Sequence, residues 1–292
     1  MSAGPEAGRR AARFGRRGWM TAAVDATALP TIGLVDGFLL TPSFLETSVH
    51  AVGGSGSRLR EPGSLRIVQV SDLHIRAFGD FETRVLDMVA TLRPDIVVHT
   101  GDMLDSQRGL SPLREFLDRC PGVPSFAIPG NWEYASGVPM TEIDSLCQTL
   151  GIDWLVNRSV VVEHGPSAIR ITGLDDLRMG RPDPDAVRGS ASRVPNHLIL
   201  AHCPALRDRL GQSSLARADL VLSGHTHGGQ VSPLGLPIVL PSGSGRYVAG
   251  WYRRGEATGP PPLYVSRGVG TSVIPFRLGS RPELAVFDWQ LS

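Results

Sequence analysis

Lysine is absent from this chain. All 29 basic residues are arginine, against 28 acids, for a formal net charge of +1. So small an imbalance gives no global attraction to nucleic acid, and no known nucleic-acid-binding module occurs; no specific nucleic-acid partner is expected. Cysteine is scarce as well. Cys120, Cys147 and Cys203 are odd in number, widely spaced and without a CxxC pair, which excludes a disulfide framework and a thiolate metal site. They read as buried thiols, compatible with a reducing compartment. Long hydrophobic runs are missing too. The apolar stretch from Trp19 to about Leu40 is broken by Asp25, Pro30 and Asp36. Its longest uncharged piece, residues 26–35, falls far short of the roughly 20 residues that cross a bilayer. The same breaks, with no small-residue cleavage site behind them, argue against a signal peptide.

What is present suits one large α/β domain with an appendage. The 292 residues are 41% hydrophobic, ample for a buried core. Arg9, Arg10, Arg13, Arg16 and Arg17 stand against one acid, Glu6, near the N-terminus, and residues 51–63 are rich in Gly, Ser and Arg. Residues 1–62 are therefore expected to be a basic, partly apolar extension and linker, either a disordered tail or a peripheral contact with an anionic membrane. Residues 63–292 form the domain. The expected location is the cytoplasm or the inner face of the cell membrane.

From Leu65 onward strands and helices alternate. Strands are expected over 65–70, 95–100, 123–128, 154–163, 169–173, 196–201 and 219–223, with helices over 81–92, 112–119, 141–150 and 205–210. Phe81, Val85, Leu86, Val89 and Leu92 share one helical face. Shorter strands are expected over 262–266, 272–278 and 284–289. This rhythm predicts a layered α/β fold with two packed sheets. Five of the apolar strands run directly into metal-competent residues: Asp72 and His74, Asp102, Asn131, His202, and His225 with His227. Open α/β sheets build their sites at the carboxyl ends of strands. In an extended backbone residues i and i+2 project to one side, so His225 and His227 are expected to converge on one point, with Gly224 and Gly228 allowing close approach.

These seven residues offer carboxylate, amide and imidazole and no thiolate. They exceed what one tetrahedral ion takes, which points to two adjacent divalent ions; the donors suit Mn, Fe or Zn. Two ions about 3.5–4 Å apart can hold a hydroxide between them and clamp a phosphoryl oxygen for in-line attack. The ordered set Asp72-x-His74, Gly101-Asp102, Gly130-Asn131, His202 and Gly224-His225-Thr226-His227 resembles the calcineurin-like metallophosphoesterase superfamily. The following Gly-Gly-Gln and the stretch from Tyr264 through Arg277 to Glu283 resemble its YaeI/YkuE-like bacterial phosphodiesterase branch. The resemblance covers about residues 65–289. It implies a two-sheet sandwich flanked by helices, with Asp72, His74 and His227 on a first metal and Asn131, His202 and His225 on a second. Asp102 would bridge them, and Asp102, Asn131 and His202 would carry catalysis. It also implies membrane-lipid precursors such as UDP-diacylglucosamine as candidate substrates.

One position departs from that pattern. The family usually has His after Gly-Asn; here Trp132 follows, then Glu133. Loss of a group that protonates the leaving group costs about 10²–10⁴ in rate where a proton is needed. Phosphodiesters or pyrophosphates with good leaving groups, lipid-linked or nucleotide-linked, are therefore the expected substrates, with a non-catalytic metal-binding scaffold or sensor as the alternative. A zinc hydrolase of the metallo-β-lactamase type would need an HxHxDH cluster, and none occurs. Trp132 is a candidate pocket wall, and Arg267 and Arg277 are candidate phosphate partners. Asp175 and Asp176 are read as turn caps and His99 as a core residue.

Overall fold

Aliphatic and β-branched runs build two six-stranded sheets that face one another. The structure, a computed structural model, describes residues 36–53, 60–61, 63–187, 194–210, 218–253 and 259–292. In chain order the strands are β1 Glu46–Val52, β2 Leu65–Val70, β3 Ile96–His99, β4 Ser125–Ala127, β5 Ile152–Trp154 and β6 Arg158–His164. Then come β7 Ser167–Gly173, β8 Asn196–Leu200, β9 Leu220–Ser223, β10 Gly250–Tyr252, β11 Leu263–Val265 and β12 Glu283–Trp289. The first sheet is ordered β1-β12-β2-β3-β4-β5 and the second β10-β11-β9-β8-β7-β6. β2 to β5 run parallel, as do β7, β8, β9 and β11, so each sheet ends four neighbouring strands at one edge.

The period-two alternation of the strands divides the core. Ile67, Val98 and Phe126 of the first sheet meet Ile171, Leu198 and Leu222 of the second between the layers. Val68 and Val97 point the other way, onto Val85 and Val89 of helix Asp80–Leu92, Phe116 of helix Leu110–Asp118 and Ile143 of helix Met140–Thr149. Ile199 and Val221 on the outer face of the second sheet pack against Leu206, Leu210 and Tyr247. Parallel strands covered on both faces read as unbroken apolar runs, which is why β2, β3, β8 and β9 were legible in the sequence.

The sandwich flanked by helices is the expected fold, with three local differences. The run 154–163 is not one strand. β5 ends the first sheet and β6 edges the second, with Asn157 at φ 53° in the turn between them. A continuous apolar run carries no signal that its two halves join different sheets. Residues 272–278 form a loop instead of a strand, with Val273 at φ 63°. Third, Glu46–Val52 falls inside the segment read as an extension, yet pairs in parallel with β12 along its whole length. Its side chains alternate between half-buried and exposed, and it carries no fully apolar face to announce it. The boundary drawn at residue 62 therefore cuts off an edge strand. The basic cluster of residues 9–17 lies outside the described residues.

Candidate metal centre

Both sheets deliver polar residues to the same edge. The segments just past β2, β3, β4, β8 and β9 carry Asp72 and His74, Asp102, Asn131, His202, and His225 and His227, all buried. One ligand atom from each of Asp72, His74 and His227 lies within 4.8 Å of the others, and the same holds for Asp102, His202 and His225. Asp102 sits between the two groups, its Oδ2 3.1 Å from His202 Nε2 and 3.6 Å from His74 Nε2. Asn131 lines the pocket over this cluster, and its Oδ1 is buried without a hydrogen-bond partner. A buried amide oxygen with nothing to accept from is costly unless a cation or another donor completes it. The seven residues singled out in the sequence are brought to one place.

The local geometry differs from an extended ladder. His225 and His227 do not converge on one point. His225 Nδ1 lies 3.1 Å from His202 Nε2, whereas His227 Nε2 lies 3.1 Å from His74 Nε2, so the pair is split between the two groups. The backbone has left the strand region at each, with φ 73° and 52°, and Asp72, His74 and Asp102 likewise have φ of 53°, 45° and 54°. Left-handed backbone in a non-glycine residue costs on the order of 1–3 kcal/mol and persists where the surroundings over-determine it. Here they do. Ser71 Oγ donates to Asp72 Oδ2 (2.6 Å), and His225 N–H donates to Asp72 Oδ1 (2.9 Å). Glu133, wholly buried, accepts the N–H groups of Asp102 (2.8 Å), Met103 (2.6 Å) and Gly130 (2.7 Å), and so ties the β3 loop to the β4 loop.

Two glycines permit this closeness. A Cβ on Gly224 would stand 1.9 Å from Ser71 Oγ and 2.2 Å from Asp72 Oδ2. Gly101, at φ 89°, would place one 2.6 Å from both His202 Nδ1 and Gly130 N.

Hydrogen bonds also fix the imidazole tautomers. Carbonyl oxygens only accept, so His202 Nδ1 donates to Thr100 O (2.8 Å) and His225 Nε2 donates to Ser242 O (2.8 Å). Each ring's other nitrogen is thereby turned to the cluster, the orientation metal-ligating histidines adopt; on His225 it is a lone pair, and on His202 Nε2 faces Asp102 Oδ2. Burial pushes His74 and His225 down to about 4, which keeps them neutral. Burial acts on His202 in the same direction, but the Asp102 carboxylate outweighs it and raises His202 to about 10. Burial likewise works against Asp102, whose charged neighbour His202 still holds it below the usual carboxylate range. The Asp102–His202 pair thus holds a proton at the junction of the two groups, one that a metal cation binding there would displace. Carboxylate and imidazole donors in two adjacent groups of three, with the Asn131 amide lining the pocket over them, fit a pair of divalent ions.

Above the cluster lies a pocket of about 480 Å³. Asp102, Asn131, His225 and His227 line its polar part, and Trp132, Ile238, Val239, Val273 and Ile274 its apolar walls. The Trp132 ring stands edge-on to His74, centroids 5.8 Å apart, at the pocket wall expected for it.

The two other arginine expectations fare differently. Arg277 is fully buried and donates to the carbonyls of Arg267, Gly268, Gly270 and Ser280. It backs His227 from behind, Nη2 to Nδ1 3.2 Å, and its guanidinium is used up by the chain; it is not available to a substrate phosphate. Arg267 pairs with Glu46 (3.0 Å) and Glu283 (3.3 Å), and those carboxylates hold it to the sheet edge. The arginine that lines the pocket is Arg178, which sequence reasoning missed. Among the described residues its guanidinium has no ion pair or hydrogen bond. Asp176 Oδ2 accepts the N–H groups of Arg178 and Met179 (both 2.7 Å), and Asp175 Oδ2 accepts that of Arg181 (2.7 Å). The two aspartates are turn caps as expected, and the turn they cap carries Arg178. The adjacent Asp-Asp pair was the only signal, and it lay hidden among 29 arginines.

The chain is similar to several known proteins. The chain is 32% identical over 263 residues to the uncharacterized metallophosphoesterase YkuE of Bacillus subtilis, covering 85% of this chain and 86% of that one. It is 30% identical over 236 residues to phosphodiesterase YaeI of Escherichia coli, covering 76% and 81%. It is also 32% identical over 247 residues to a Bos taurus transmembrane protein with metallophosphoesterase domain, covering 76% of this chain and about half, 52%, of the bovine one. A dimetal phosphatase from Danio rerio superimposes with a TM-score of 0.49 at 13% identity, over 78% of this chain and 99% of that chain. Residues 65–229, more than half the chain and the span from β2 through the last two histidines, match the calcineurin-like phosphoesterase family, and to that family the chain belongs.

Proposed function

We propose that this chain hydrolyses phosphodiesters or pyrophosphates whose leaving group departs without a proton from the protein, and that its substrate carries an apolar, lipid-like portion. The family membership and the paired donor groups make it a metal-dependent phosphoric ester hydrolase that uses two divalent ions. The finer reading rests on one observation. A single pocket joins the ligand cluster to walls made of Trp132, Ile238, Val239, Val273 and Ile274. A phosphoryl group fits the first part, and an acyl or other apolar group fits the second.

In this reading Asp72, His74 and His227 would hold one ion and Asn131, His202 and His225 the other, with Asp102 within reach of both. Bound there, the ions supply Lewis-acid polarisation of a phosphoryl oxygen and lower the pKa of a water nucleophile. The chain's own residues do the rest. Thr100 O and Ser242 O keep His202 and His225 in one tautomer, and Glu133 holds the Asp102 and Gly130 loops in register. Trp132 excludes water from one wall and offers no proton, which restricts the reaction to leaving groups that are stable as anions. Arg178 meets a non-bridging oxygen of the substrate.

The E. coli relative is named a phosphodiesterase, and the bovine relative is named a transmembrane protein with metallophosphoesterase domain. None of the described helices here is long and apolar enough to cross a membrane. A lipid-linked substrate would be met from the bilayer surface.

The test is hydrolysis of bis-p-nitrophenyl phosphate and p-nitrophenyl phosphate by chelator-stripped protein with Mn or Zn restored. Metal-dependent turnover of the diester in preference to the monoester is expected. Turnover of the monoester alone would overturn the diester assignment, and two bound ions with no turnover of either would return the scaffold reading. Arg178→Ala should raise KM for the diester with melting temperature unchanged. Loss of one charged hydrogen bond, about 1.5–3 kcal/mol, corresponds to roughly 10–100-fold in kcat/KM. An unchanged KM would remove Arg178 from the substrate.

A further inference from the structure

We propose that the two loops at the pocket mouth form a membrane-docking surface that seats on an anionic phospholipid bilayer and opens the pocket towards it. Leu234, Leu236, Ile238 and Val239 on one loop and Val273 and Ile274 on the other are between 48% and 101% exposed. Gln230 holds the loops side by side, its amide bonding Ser272 N and Ser272 O (2.9 and 3.0 Å). Soluble proteins rarely leave so contiguous an aliphatic patch uncovered without an interaction to use it. The patch continues through Phe276, which packs on Phe38 with ring centroids 4.7 Å apart.

Three features select a bilayer as the occupant. Leu234 and Val273 sit at φ 56° and 63°, conformations that Gly or Asn would adopt more cheaply, so large aliphatic side chains are held out at strained loop tips. Projecting single side chains insert between lipids, whereas a protein partner matches better to a flatter or concave patch. Neither loop, residues 231–249 or 268–282, contains an acid, while Arg246 and Arg281 within them are exposed, the first 3.9 Å from Asp208 and the second paired with Glu46 (2.7 Å), so the loops themselves bring no carboxylate to an anionic headgroup layer. Finally, Ile238, Val239, Val273 and Ile274 both face solvent and line the pocket. A protein covering them would close the mouth. A bilayer beneath them would bring amphiphilic molecules to it. Gly37 lies beside this patch, where its carbonyl accepts Arg277 N–H (2.9 Å).

The proposal shares an amphiphilic substrate with the reading above, but docking is measured without turnover, so either can fail alone. The full chain is sedimented with sucrose-loaded vesicles of phosphatidylcholine with and without phosphatidylglycerol, beside the double variant Leu234→Asn/Leu236→Ser. Asparagine tolerates the left-handed backbone at 234, and neither residue lines the pocket, so folding and turnover of bis-p-nitrophenyl phosphate should be unchanged. Wild-type protein should bind the anionic vesicles, and the variant should bind about tenfold or more weakly, as expected for two leucines that no longer leave water. A thermal melt and the diester assay establish that the variant is folded. Three results would overturn the proposal: no vesicle binding by the wild type, equal binding by the variant, or a wild-type dimer in solution that the variant dissociates without any vesicle binding. The second would assign membrane contact to the basic N-terminus, and the third would make the patch an interface between two copies of this chain.

Discussion

Asp102→Ala should lower turnover of bis-p-nitrophenyl phosphate by at least about 10³-fold, beyond the 10–100-fold typical when a residue behind the ligands is lost. Asp102 is the one carboxylate within reach of both donor groups, 3.1 Å from His202 and 3.6 Å from His74. Its other oxygen accepts Trp132 N–H at 2.8 Å and anchors the β4 loop that presents Asn131. Under the proposed assignment, removing it would take a ligand from each ion, leave the His202 imidazolium without its counter-charge and free the loop. Metal content measured by plasma mass spectrometry should fall below two ions per chain in the same variant. Asp102→Asn separates the roles, because the amide oxygen can still accept from Trp132 N–H while the charge is gone. If either variant kept full metal content and full turnover, Asp102 would not be the shared ligand.

Trp132→His should change the choice of leaving group more than the rate on activated substrates. Trp132 occupies the pocket wall beside His74 and has no group that can protonate a departing alkoxide. An aryl oxide leaves as an anion and gains little from a general acid, whereas an alkoxide gains about 10²–10⁴. The histidine variant should therefore raise turnover of a simple alkyl phosphodiester by about 10²-fold or more while the aryl diester changes only a few-fold. Trp132→Phe, which keeps an apolar wall, should leave the ratio of alkyl to aryl rates where it is in the wild type. Comparable turnover of alkyl and aryl diesters by the wild-type enzyme would falsify the idea that leaving-group protonation is what this protein lacks.

The order of ligands along the chain was a property of the sequence. Buried parallel strands must be apolar throughout, and their carboxyl ends must stop at polar residues where the sheet edge meets solvent or a ligand. Both features are written residue by residue in Leu65–Val70 before Asp72 and in Leu220–Ser223 before His225. Hence the sandwich, the seven donors and the departure at Trp132 could be read without coordinates. Local pattern could not say which donors share an ion. His225 and His227 look like one pair, and the left-handed backbone that splits them is imposed by packing, through Ser71, Asp72 and a Gly224 with no room for a Cβ. Nor could it separate the arginines. Arg277 and Arg178 are the same residue type in similar Gly- and Pro-rich surroundings, yet one is surrounded by carbonyls and the other lines the pocket, its guanidinium unpaired among the described residues. β1 escaped notice because an edge strand paired on one side needs no apolar face. The sequence by itself determined the fold class and the set of polar residues that meet at the sheet edge, since periodicity and strand-end chemistry act over a few residues. The tertiary structure alone decided the grouping of the candidate ligands, the arginine lining the pocket and the aliphatic rim of the pocket, since those depend on contacts between segments as distant as Asp72 and His225.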